Sequence, residues 1–72
     1  MKIIDTRKEK ELHPLIIALE AYFSLKKEEQ IEIIFVSRKN FSHLKDYLSK
    51  REIGFREIYS GDEMRLQIQK KD

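Results

Sequence analysis

The chain has 72 residues, no cysteine, and 15 basic against 13 acidic side chains, for a net charge of +2. That length allows one small domain, and the missing cysteines exclude disulfides, thiolate metal sites and cysteine nucleophiles. The balance of signs also excludes the strongly basic character of most nucleic-acid-binding domains.

Lys2–Asp5 is predicted as a short first strand, followed by a polar segment, residues 6–11. Residues 11–25 then read as the first helix, with Pro14 at its first turn, where a missing N–H costs nothing. A residue before proline is pushed away from helical geometry, so His13 is expected as the N-cap, beside free backbone N–H groups. Leu12, Leu15, Ile16, Leu19, Tyr22 and Phe23 follow the spacing of one helical face and are expected in the core, with Leu19 at its centre. Pro14, Ile17, Ala21 and Ser24 fall on the other side, which makes Ile17 a candidate surface contact.

Residues 31–37 form a β-branched, nearly continuous apolar run, as a central strand requires. Ser37, Arg38 and Lys39 are expected as a turn, and Asn40 as the N-cap of a second helix over 41–51. Phe41, Leu44 and Leu48 form its buried stripe, with Tyr47 at the margin. Gly54 stands where a left-handed helix cap or turn belongs. Residues 55–59 and 64–70 are the third and fourth strands, joined by a hairpin signal at 60–63. In the last strand Met64, Leu66 and Ile68 alternate with Arg65, Gln67 and Gln69, which implies one packed and one wet face.

The order is βαβαββ, and two right-handed crossovers place both helices on one side of the sheet. The expected fold is therefore a two-layer α/β sandwich (α+β) with a four-stranded mixed sheet in the order 1-2-4-3. The longest apolar runs are far shorter than a membrane span, and the opening residues hold no apolar stretch of signal-peptide length. A cytoplasmic protein is the expectation.

An early strand ending in Asp5-Thr6-Arg7, followed by a residue-proline pair, His13-Pro14, opening the first helix, resembles the TusA/SirA family of small sulfur-relay proteins. That family carries Cys-Pro at this helix start. The histidine is closer to a subfamily of unknown function with His-Pro in that place, and Gly54, Phe55 and Gly61 match its closing segment. Ser37-Arg38-Lys39-Asn40 departs from that subfamily's turn after strand two. The resemblance covers nearly the whole chain. It implies the βαβαββ fold and a protein-docking or accessory role in sulfur, redox or iron-related metabolism, without the sulfur-carrying cysteine. The fold also resembles the RNA-contacting C-terminal domain of bacterial translation initiation factor three.

His13, Pro14, Asp5 and Arg7 are the candidate ligand or partner residues, with Asp5 and Arg7 either orienting His13 or pairing with each other to fix the loop. Arg38, Lys39 and Arg65 are candidate surface contacts, the residues an RNA-binding alternative would place on phosphates. His43 reads as a surface residue, and no spacing of His and acidic residues supports a metal site. The serines lack a nucleophile context, and two glycines cannot build a phosphate loop. The expectation is a non-enzymatic module with no cofactor, a protein partner, and a monomeric or weakly dimeric state.

Overall fold

A computed structural model describes residues 1–70, which form β1 (Lys2–Asp5), α1 (His13–Phe23), β2 (Gln30–Phe35), α2 (Arg38–Lys50), β3 (Phe55–Ser60) and β4 (Glu63–Gln69). The sheet order is β1-β2-β4-β3, as expected. β1 runs parallel to β2, and β4 is antiparallel to both β2 and β3. Gly61 at φ +59 opens the two-residue turn between β3 and β4, the position where a type II′ hairpin needs a residue without a Cβ.

Register places Ile31 opposite Ile68, Ile33 opposite Leu66 and Phe35 opposite Met64, all on the face toward the helices. Phe41, Leu44 and Leu48 of α2 and Ala18 and Tyr22 of α1 close over them in one buried cluster. Each large side chain fully buried there contributes roughly 1.5–3 kcal/mol.

The helix boundaries correct the sequence reading in three places. Ser37, not Asn40, caps α2: its backbone is extended and its hydroxyl accepts from the Asn40 N–H at 3.3 Å. Arg38 and Lys39 therefore form the first turn of α2. Asn40 is buried, and its Nδ2 donates to the Glu11 carbonyl at 2.6 Å, so its side chain ties the second helix to the approach of the first. At the other end of α2, the Ile53 N–H bonds to Leu48 O and the Glu52 N–H to Ser49 O. This is a Schellman ending, and its left-handed residue is Glu52 (φ 59) rather than Gly54.

His13 is the second correction's counterpart in α1. The N-cap is Leu12, with no side-chain cap, and His13 is already helical. The chain turns earlier than the His-Pro pair suggests. Glu11 adopts φ 57, and the His13 N–H bonds to Lys10 O at 3.1 Å, which carries His13 into the first turn.

α1 is also rotated from the expected orientation. Its buried positions are Pro14, Ala18 and Tyr22; Leu15, Leu19 and Ala21 are half-buried beside them. Leu12, Ile16 and Phe23, expected in the core, are 52%, 48% and 59% exposed. A completely buried Ala18 lets the helix backbone approach the sheet closely, where the branched side chains of the expected face would hold it off.

Candidate functional site

Two surfaces lie outside the core, and they differ in kind. The first is the outer face of the sheet. Side chains that register there are Ile3 and Asp5 of β1, Glu32 and Ile34 of β2, and Arg65 and Gln67 of β4. Arg65 forks between two carboxylates, with Nη1 on Glu32 at 2.8 Å and both Nε and Nη2 on Glu63. Gln67 Nε2 donates to the second oxygen of Glu32 at 2.7 Å. Arg7 continues the chain, with Nη1 on Glu63 at 2.6 Å and Nε and Nη2 on the two oxygens of Asp5.

The result is a connected lattice running from Asp5 to Gln67. At its centre Glu32 is 7% exposed and Ile34 5%. The face expected to be wet is dry in the middle. The Gln67 hydrogen bond, reinforced by Arg65, holds the Glu32 carboxyl below its ordinary range against the opposing effect of burial. The Arg7 hydrogen bonds bring Asp5 down to about 2. Arg65 is raised in turn, first by Glu63 and then by Glu32.

Asp5 and Arg7 therefore pair with each other and fix the loop into α1, one of the two roles read from the sequence. Thr6 between them is buried, and its hydroxyl and N–H both bond to Ile34 O, at 2.6 and 3.1 Å. The structure does not bring Asp5 and Arg7 to His13. His13 is exposed, its Nδ1 sits 3.2 Å from Glu9 Oε1, and the shallow groove beside it is lined by residues of the 8–12 loop and Ile16. Pro14 is buried under the helix start, inaccessible to a ligand.

The second surface is the solvent side of α1. Leu12, Ile16, Leu19 and Phe23 recur at spacings of four, three and four residues and form one stripe along the whole helix. Its outermost members are the three exposed side chains already named. Phe23 meets Tyr47 of α2 edge to face, with ring centroids 6.3 Å apart, so the stripe borders the seam between the helices. Glu20 is the only acidic or basic residue of α1 apart from His13. Ile17, the surface contact expected from sequence, is half-buried on the opposite flank. Arg38 and Lys39 are exposed at the start of α2.

The sequence reading missed Glu32, Glu63 and Thr6 as structural residues, and Leu12, Ile16 and Phe23 as surface. The signal for the stripe was present: an eleven-residue helix with a single carboxylate is apolar all round, and a two-layer fold covers only one side of it. Among the described residues no cluster of three or more His, Asp or Glu side chains suits a metal ion. No described helix is long and apolar enough to cross a membrane. No protein-family model, curated protein or solved structure matches the chain.

Proposed function

We propose that this chain is a small protein-docking module of the TusA/SirA-like kind, acting without a sulfur-carrying cysteine in an accessory role in sulfur, redox or iron-related metabolism. The observation that carries docking is the apolar stripe on α1. Leu12, Ile16 and Phe23 together place three large apolar side chains in water along one helix, a pattern that marks interaction surfaces on soluble domains. The βαβαββ order and the proline buried in the first turn of α1 support the family analogy. His13 stands at the head of the stripe, between Leu12 and Ile16 in the same groove, and serves there as a polar contact rather than as a carrier of sulfur.

The RNA-binding alternative draws less support, because Arg65 is already committed to Glu32 and Glu63. That leaves Arg38 and Lys39 as its cations.

Affinity capture from the native host tests the docking role when wild type is run beside a Leu12→Ser, Ile16→Ser, Phe23→Ser variant. The expected result is a partner held by wild type and by Gln67→Ala but lost by the triple variant, whose circular dichroism stays native. A partner retained by the triple variant overturns the role of α1. Incubation with a cysteine desulfurase and labelled cysteine should leave the chain unlabelled, since it offers no thiolate. A stoichiometric covalent label contradicts the accessory role.

A further inference from the structure

The apolar stripe has an electrically distinct bank. α2 carries Arg38, Lys39, Lys45 and Lys50 against one acid, Asp46. Lys39, His43, Asp46 and Lys50 share one side of that helix by their spacing of four, three and four, with Tyr47 on the flank beside them, so two lysines and a histidine outnumber one carboxylate there. Two contacts identify that side as the one toward α1: Tyr47 against Phe23, and the Asn40 side chain on Glu11 O. Lys39 and Lys50 are exposed and make no ion pair among the described residues. Lys45, on the other side of α2, behaves differently and is bound to Glu57 at 3.1 Å. Arg51 lies over the Tyr47 ring at 4.6 Å, at the lower end of the same bank.

We infer that the partner docks an amphipathic, acidic helix on this face. Its apolar row packs on Leu12, Ile16 and Phe23, and its carboxylates meet Lys39 and Lys50. The inference rests on the docking role proposed above and adds the partner's chemistry. Two observations select it. The stripe's spacing of four, three and four residues is the periodicity of helix-on-helix contact, and eleven residues of α1 are about 16 Å long, the reach of about three turns of a partner helix. Lys39 and Lys50 stand uncommitted along one bank of the stripe, whereas Arg7 and Arg65 at the centre of the sheet face are neutralised and Arg56, on its β3 edge, is the cation left unpaired there among the described residues. A second copy fits less well. Stacking two α1 stripes antiparallel about a two-fold axis keeps both α2 rows on the same bank, so Lys39 and Lys50 of each copy face like charges.

The test uses two labelled helical peptides with leucines at the four-three-four spacing, one flanked by glutamates and one by lysines. Binding is followed by fluorescence anisotropy and by amide shifts in the full chain. The glutamate peptide is expected to bind at least tenfold more tightly, to lose affinity as salt is raised, and to shift resonances of α1 and of the 39–50 row. Ile16→Ser with Phe23→Ser should abolish binding, and Lys39→Glu with Lys50→Glu should reverse the preference between the peptides. Equal binding of the two peptides on α1 overturns the acidic partner while leaving the docking role intact. Shifts confined to the sheet face, or none, overturn the inference, and the docking role is then judged by the capture experiment alone. A dimer in sedimentation that dissolves on Ile16→Ser with Phe23→Ser overturns it in favour of self-association. Binding of polyuridine that needs Lys39 and Lys50 but not Ile16 or Phe23 overturns it in favour of RNA.

Discussion

On the outer face of the sheet, Glu32, Glu63 and Arg65 of the central strands all have answering partners, whereas on the outer face of α1 Leu12, Ile16 and Phe23 are open to water. The centre of the sheet face holds charge and is closed, with Ile3 exposed only on its edge strand; the helix face is almost uncharged and open along its length. Charge alone is thus a poor guide to which surface of this domain binds something. A carboxylate and a guanidinium locked together are half-desolvated and have little left to offer a ligand, while exposed apolar area gains free energy whenever it is covered.

The sharpest way to break that comparison is to locate the true core. Leu44 is completely buried, and Leu44→Ala should cost about 2–5 kcal/mol from lost transfer energy and the cavity left behind. Leu19 borders the open stripe, and Leu19→Ala should cost only about 1 kcal/mol, both read from urea midpoints at constant slope. Equal losses would return α1 to the orientation expected from its sequence.

The next effect belongs to the sheet face. Glu32→Ala leaves Gln67 and one arm of Arg65 without their acceptor and should cost about 2 kcal/mol, the scale of hydrogen bonds to a charged group. The same lattice sets a pH dependence. Asp5 and Glu32 both ionise below their ordinary range, so the stability they contribute is complete above about pH 5 and is lost as pH falls toward 2. Thermal melts across that window should become shallower in Glu32→Gln and keep the part that Asp5 contributes through Arg7. They should keep the wild-type profile in Ile16→Ser, because the helix face contributes no titrating group to the loss.

The contrast between the two helices explains what was legible beforehand. α2 alternates charge with Phe41, Leu44 and Leu48, so its periodicity points to one face, and the structure buries that face. α1 offers Leu15, Ile16, Ile17 and Leu19 around nearly its whole circumference, so periodicity selects no unique side. What selects it is Ala18, through close approach to the sheet, and a small residue gives no hydrophobic signal. Strand order was legible from the hairpin and the crossovers. The sheet-face lattice was hidden because Glu32 sits inside an apolar run and its partners lie more than thirty residues away. His13 was misplaced as a cap because the turn at Glu11 is set by tertiary contact with Asn40.

A smaller change serves as a tool. Glu52 takes the left-handed position of the α2 ending, where a side chain is strained and glycine is not. Glu52→Gly should stabilise the domain by about 0.5–1 kcal/mol in the same urea assay. In that background the smallest effect can be measured cleanly: Ile16→Ser should shift stability by less than about 0.5 kcal/mol despite removing a large apolar side chain. A loss comparable to that of Leu44→Ala would mean Ile16 packs inside the fold.

The most direct measurement places a photo-crosslinking residue in turn at Ile16, Phe23, Arg56 and Gln67 and irradiates the native host. The two helix positions sample the open face, and exposed Arg56 with half-buried Gln67 samples the sheet face. Adducts to one common protein from Ile16 and Phe23, with none from Arg56 or Gln67, are the predicted result. Adducts from the sheet positions alone would contradict the account, because they would make the charge-locked face the one that binds.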